Sequence, residues 1–232
     1  MTSSASARTL IFDADDTLWE NNVLFERVID DFLRWMAHPT RDLTEMRAVL
    51  DEIEAANAVT HGYGAKVLLR SLHDCFERLS ERPADPAERT AINELAGALS
   101  RNEVELIRDV STTLEILADR YQLMLLTKGD KEEQQRKLDA SKLGRHFEHI
   151  HIVPEKNVDT YLALIDRHGL RTELTWMIGN SPRSDIRPAR AAGLNAVFIP
   201  HEHTWVLEQD DIDATDDRVL VLTGFAELLE HF

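Results

Sequence analysis

Leu10, Ile11 and Phe12 follow one another with no polar residue between them. A strand without a polar side has to be buried on both faces, which places it inside a parallel sheet covered by helices. The run ends abruptly at Asp13, Asp15 and Asp16, three acids in four residues. If the chain stays extended past Phe12, residues two apart point to one side, so Asp13 and Asp15 project together. Carboxylates this close repel one another, and such crowding suits a cation or a reaction that needs them there. An acidic turn closing the strand is the plainer alternative, and an Asp-x-Asp alone does not decide between the two.

The 232 residues are 43% hydrophobic, enough for a real core and against disorder. The net charge of −16, from 42 acids against 26 Lys and Arg, repels phosphate backbones and anionic lipid, so neither nucleic acid nor a membrane surface is an expected partner. Cys75 stands alone, which rules out an intrachain disulfide and fits a reducing cytoplasm. Residues 1–8 are small and polar and read as a loose tail without a signal peptide's apolar core. No window approaches a membrane span.

After Trp19 the spacing turns helical. Leu24, Val28, Phe32 and Met36 recur every four residues until Pro39 closes the helix. Leu43, Met46, Leu50 and Ile53 carry a second stripe that ends near Gly62. A third runs through Leu68, Leu72, Cys75, Phe76 and Leu79, and a fourth through Ile92, Leu95 and Leu99. No strand pattern interrupts residues 20–108. The next apolar run, 123–126, follows a helix near 111–120. Helices and strands then alternate: helix 130–141, strand 150–153, helix 158–168 begun by Asn157 and stopped by Gly169, strand 174–178, a helix starting at Pro188 and stopped by Gly193, strand 196–199, strand 219–222 and helix 225–231. That alternation predicts a parallel sheet.

A parallel crossover needs about a dozen residues, yet the first one, from Asp15 to Leu123, takes more than a hundred. The excess predicts an all-helical unit at 20–108 inserted into an α/β core made of 1–19 and 109–232. It would sit beside the carboxyl ends of the strands, where open sheets bind ligands, and cover the acidic stretch like a lid. Four strands end there in polar residues: Asp13 and Asp15; Thr127-Lys128-Gly129-Asp130; Pro154-Glu155-Lys156-Asn157; and Gly179-Asn180-Ser181-Pro182-Arg183-Ser184-Asp185. Acids can supply a nucleophile and a metal cradle, a hydroxyl and backbone amides can hold an anion, and a lysine can balance charge.

These motifs, in this order and with the insertion after the first, resemble the haloacid dehalogenase superfamily, and within it the phosphohydrolases with a helical cap. The likeness spans most of the chain. It implies a Rossmann-like parallel sheet core with an inserted all-helical cap, and Mg²⁺-dependent hydrolysis of a small phosphorylated metabolite through an aspartyl-phosphate. On the positions of this sequence it makes Asp13 the nucleophile and Asp15 the acid and then the base. Thr127 would bind phosphoryl oxygens and Lys156 would neutralise charge. Mg²⁺ would be held by Asp13, the Asp15 main-chain carbonyl and the last motif, Asn180 and Asp185. Charge logic agrees, because an anionic nucleophile approaches a phosphoryl group only when cations offset the repulsion. The last motif departs from the family in one place: an acid usually follows the glycine, and Asn180 brings an oxygen without a charge.

Haloacid dehalogenation, phosphate transfer within a sugar, and a non-catalytic scaffold are the alternatives. Asp15 argues against the first, since halide needs no leaving-group acid, and the intact Asp13, Asp15, Thr127 and Lys156 argue against the last. The mutase is not separable from a hydrolase in sequence, and neither the particular ester nor the oligomeric state is readable. Elsewhere, Lys128 reads as a substrate contact or a solvated lysine, and Trp19 as a pocket wall or core. The stretch His61-Gly62-Tyr63-Gly64-Ala65-Lys66 reads as a helix–helix turn before an anion site. His149, His151, His201 and His203 read as structural or exposed, Cys75 as core, and Asp210, Asp211, Asp213, Asp216 and Asp217 as a solvated loop.

Overall fold

The computed structural model describes residues 8–97, 99, 104–213 and 215–232; most of the expected N-terminal tail, residues 1–7, lies outside them. In chain order the elements are β1 (Thr9–Phe12), α1 (Asn22–Met36), α2 (Leu43–His61), α3 (Ala65–Ser80), α4 (Pro86–Gly97), α5 (Val110–Ala118), β2 (Gln122–Lys128), α6 (Lys131–Ser141), β3 (His149–Val153), α7 (Val158–His168), β4 (Thr175–Gly179), α8 (Arg187–Ala191), β5 (Asn195–Phe198), β6 (Val219–Val221) and α9 (Leu228–His231). The chain forms two compact units, Met1–Glu20 with Glu103–Phe232, and Asn21–Asn102.

The first unit is a six-stranded sheet in the order β3-β2-β1-β4-β5-β6, parallel throughout. The apolar run of β1 is explained by its place between β2 and β4 and by a core on each face. Leu10 and Phe12 pack with Val110, Leu114, Phe225 and Leu228. Ile11 points the other way, into a core with Tyr161, Leu164 and Ala189. Fully burying side chains of this size contributes about 1.5–3 kcal/mol each. The chain moves from β1 to β2 and β3 on one side and returns to β4 on the other, so the strand order reverses at β1. Ligands of open sheets bind at such a switch point.

Local signals set the helix ends. Asp130 accepts from the amides of Glu132 and Glu133, and Asn157 from that of Thr160. Past β4 the helical path begins earlier than Pro188, with a π-helical turn at Pro182–Ile186 that runs into α8. Pro188 has no N–H to give the carbonyl of Ser184. Tyr161 Oη donates to that carbonyl instead, at 2.9 Å.

Residues 104–108, expected in the insertion, pair with the core unit. Glu20 N donates to Glu105 O at 2.9 Å and Ile107 N to Leu18 O at 3.0 Å, with an antiparallel bridge between Trp19 and Leu106.

The second unit packs α1–α4 around Phe32, Leu50, Leu72, Cys75 and Ile92. The glycine-rich segment is the α2–α3 turn, with Gly62 and Gly64 at positive φ. Glu54 is buried on α2, and its Oε2 has no hydrogen-bond partner among the described residues. Burial pushes its carboxyl up to about 7. Among the described residues no helix is long and apolar enough to cross a membrane.

Candidate active site

Asp13 stands at the first position past β1, where its amide donates to Ile178 O at 2.9 Å and continues the pairing with β4. Its Oδ1 accepts from Lys156 Nζ at 2.5 Å and its Oδ2 from Thr17 Oγ1 at 3.0 Å. Lys156, buried after β3, also donates to Asp185 Oδ1, and to Leu126 O at 3.4 Å. Asp185 is 0% exposed, and its Oδ2 accepts from Ser181 N at 2.9 Å. It reaches that depth because residue 179 is glycine; a Cβ there would collide with its carboxylate. Thus both oxygens of Asp185, expected as a metal ligand, are engaged by protein donors.

One ammonium therefore serves two buried carboxylates. Burial draws the Lys156 pKa down, but the charges of Asp13 and Asp185 outweigh it and hold it well above the ordinary lysine value. Burial and then the charge of Asp13 push Asp185 up to about 7, against the pull of Lys156. The surplus is negative.

Next to that surplus the oxygens outnumber the hydrogens. Thr17 Oγ1 lies 3.0 Å from Asp13 Oδ2 and 3.2 Å from Asn180 Oδ1, and a hydroxyl has one hydrogen to give. A hard carboxylate oxygen and a hard amide oxygen so converge on one point with a proton too few between them. This donor set and its charge fit a small divalent cation with oxygen ligands.

Asp15 does not share these partners, although an extended chain would have projected it beside Asp13. The strand ends at Phe12 and Asp16 takes a left-handed conformation, φ 59°. Asp15 Oδ1 accepts from Trp19 Nε1 at 2.7 Å, Oδ2 from Gln134 Nε2 at 2.9 Å, and Lys137 Nζ lies 3.1 Å from each oxygen. Trp19 is core, 1% exposed, yet its one polar atom is spent on the site. Gln134 Nε2 also lies 3.0 Å from Thr127 Oγ1 and 2.9 Å from Lys128 O, so its two hydrogens are shared among three acceptors.

Lys128 is not a solvated lysine. Its Nζ lies 2.5 Å from Glu208 Oε1 and 2.9 Å from Ser184 Oγ. Glu208 Oε2 accepts from Ser181 Oγ at 2.6 Å and Ser184 Oγ at 2.5 Å. Burial raises the Glu208 carboxyl, but the Lys128 charge together with the hydrogen bonds from Lys128, Ser181 and Ser184 outweighs that and holds it below the usual range. The segment carrying Glu208 is fixed at further points. His201 Nε2 lies 3.1 Å from Glu20 Oε2, Thr204 Oγ1 accepts from Asn180 Nδ2 at 3.3 Å, and Leu207 O accepts from Arg183 Nη1 at 2.9 Å. Asp210 pairs with Arg187, and Asp216 takes both Nε and Nη2 of Arg190, so the acidic loop is anchored rather than merely solvated. Asp16, Glu20 and His201 come within metal-ligand spacing of one another, but His203 N donates to His201 Nδ1 at 3.2 Å while Nε2 faces Glu20. His151 and His168 bring their Nε2 atoms to 3.0 Å. Burial and then the charge of His168 push His151 down to about 4, which keeps that pair from being doubly charged near neutrality.

Sequence reading left Gln134, Lys137, Thr204 and Glu208 out of the site. Gln134 and Lys137 had a faint signal, lying three apart on α6 directly after the second motif. Thr204 and Glu208 had none.

A doubly wound parallel sheet, broken after its first strand by a helical insertion and crowded with carboxylates where that strand ends, defines a class of hydrolytic enzymes. Within that class the chain belongs to the haloacid dehalogenase-like hydrolases, the family that its residues 7–193 match. A haloacid dehalogenase-like hydrolase from Xanthomonas campestris is 27% identical, with 97% of this chain and 94% of that one covered and a TM-score of 0.82. The fold is shared at 20% identity by a 2-haloacid dehalogenase from Pseudomonas syringae, with 97% of each chain covered and a TM-score of 0.61. The phosphoserine phosphatase of Thermus thermophilus is 30% identical over 100 residues, which make up 41% of this chain and 39% of that protein.

Proposed function

We propose that the protein hydrolyses a small phosphorylated metabolite, a phosphate monoester, through an aspartyl-phosphate at Asp13. The observation that carries this reading is the separation of Asp13 and Asp15 onto different partners: Lys156 and Thr17 for one, Trp19, Gln134 and Lys137 for the other. Displacing halide from carbon needs no second, independently held acid, whereas expelling an alkoxide from phosphorus does. The local likeness to a phosphoserine phosphatase supports the same choice.

In the first step Asp13 forms a bond to phosphorus, the ester P–O bond breaks, and the leaving oxygen takes a proton from Asp15. In the second, water attacks phosphorus and gives a proton to Asp15, and the bond to Asp13 breaks with release of phosphate. Thr127 donates its hydrogen to a phosphoryl oxygen. Lys156 stays charged throughout and offsets the charge on Asp13. Asp13 Oδ2 and Asn180 Oδ1, with the Asp15 main-chain carbonyl, would hold Mg²⁺, which supplies charge neutralisation of the phosphoryl group. Asp185 acts one step removed, by fixing Lys156.

The test is turnover of a panel of phosphorylated metabolites and an aryl phosphate, with Mg²⁺ and with excess chelator. Release of phosphate that needs Mg²⁺ is expected, together with acid-stable labelling of Asp13. Full activity in chelator would overturn the metal requirement, and a label on another residue would overturn the nucleophile.

A further inference from the structure

Resting on the reading that Asn180 serves a cation, the structure assigns a positioning role to Thr204: its hydroxyl fixes which end of the Asn180 amide faces Thr17, the hydroxyl that also meets Asp13. An asparagine amide has two ends of opposite character, an oxygen that accepts and an NH₂ that donates. Which end meets the cation is the difference between a ligand and a repulsive dipole. Asn180 has no charge to settle the matter, so something next to it must.

The hydrogen count settles it. Thr204 Oγ1 donates to His201 O at 2.9 Å. Its single hydrogen is spent there, and toward Asn180 it can only accept. The 3.3 Å contact with Asn180 Nδ2 is therefore an N–H···O bond, and the amide oxygen is left on the other side, 3.2 Å from Thr17 Oγ1. The opposite orientation would turn the NH₂ toward Thr17 Oγ1, a favourable contact as long as no cation is bound. It would also bring Asn180 Oδ1 against Thr204 Oγ1 and force that hydroxyl to give up His201 O. The amide has two discrete arrangements, and Thr204 biases it toward the one that can ligate. Without that bias a cation has first to turn the amide round, and its apparent affinity falls by the fraction of molecules already turned. Aspartate at 180 would need no such guide, since its two ends are alike.

This predicts a dependence between the two positions that loss of packing would not give. Mg²⁺ affinity is measured by calorimetry or by thermal shift across a magnesium titration, on four proteins: wild type, Thr204→Val, Asn180→Asp and the double variant. Valine keeps the shape of threonine and removes the hydroxyl. Thr204→Val is expected to weaken Mg²⁺ binding by about tenfold or more, the usual range for a partner that orients a metal ligand. In the Asn180→Asp background the same change is expected to weaken it not at all. Thr204→Ser, which keeps the hydroxyl, is expected to bind like wild type and controls for folding. Wild-type affinity in Thr204→Val would overturn the inference, and so would an equal loss in both backgrounds, which would mark a merely structural threonine. A wild type that binds no Mg²⁺ would overturn the cation reading itself, an outcome distinct from both.

Discussion

Lys137 Nζ lies 3.1 Å from each carboxylate oxygen of Asp15. Burial lowers the Lys137 pKa, but the charges of Asp15 and Glu133 outweigh it and leave the group above its ordinary value. Lys137 is therefore an ammonium near neutral pH, and it holds Asp15 in one orientation together with Trp19 and Gln134.

An acid that protonates the leaving oxygen matters most when that oxygen is basic. Asp15→Asn is expected to slow turnover of alkyl phosphates by roughly 10²–10⁴ and to spare much of the first step with aryl phosphates, whose oxide leaves unaided. Lys137→Met is expected to act in the same direction and by less, since Trp19 and Gln134 still orient the carboxyl. Steady-state and single-turnover rates on the two ester classes check this. An equal loss on both would remove Asp15 from the acid role.

The arrangement of one ammonium between Asp13 and Asp185 gives opposite expectations for its members. Lys156→Met leaves two buried carboxylates uncompensated and is expected to cost about 3–5 kcal/mol of stability. Asp13→Asn is expected to abolish turnover, yet it leaves Lys156 paired with Asp185 and removes surplus negative charge. Its melting temperature without divalent cation is expected to match or exceed that of wild type. Urea and thermal unfolding of both variants decide the point, and a strongly destabilised Asp13→Asn would refute the charge count.

Glu54 gives the helical unit a pH dependence. Its carboxyl is raised to about 7 in the folded unit by burial, and in the unfolded chain it falls near 4.3, the usual glutamate range. Between those values the native state binds the extra proton, so stability falls as pH rises. The favourable contribution is complete below about pH 4 and is lost as pH passes 7, amounting to about 4 kcal/mol in all. Glu54→Gln, which stays neutral, is expected to flatten this fall. Unfolding curves of the whole chain at pH 5 and pH 8, read by hydrogen exchange in α2, make the comparison. An identical pH slope in the variant would assign the effect elsewhere.

Much of the fold was legible because burial on both faces leaves a mark in one dimension. β1, β2 and β4 announce themselves as apolar runs, and Asp13, Thr127 and Asn180 stand directly at or past their ends. The start of the helical path after β4 was misread because Pro188 resembles a helix start, while the turn before it depends on Tyr161, 27 residues upstream of that proline. Glu208 was invisible for the same kind of reason. It meets Lys128 across 80 residues of sequence, from a stretch with no periodicity, and only the folded sheet brings them together. The anchoring of the acidic loop was likewise hidden, since Arg187 and Arg190 lie on α8 and the aspartates they hold follow β5.

The short ladder that joins Leu18 and Glu20 to Glu105 and Ile107 has a consequence for how such a chain can change. It ties the two feet of the insertion together with the core's own hydrogen bonds. To the sheet, whatever lies between those feet is one closed loop, and the entropy of closing it grows by only about 0.6 kcal/mol for each doubling of its length. Among the described residues the helical unit has its own apolar centre. It is a cassette: lengthened, shortened or exchanged, it leaves the pairing of its two feet within the core as it is.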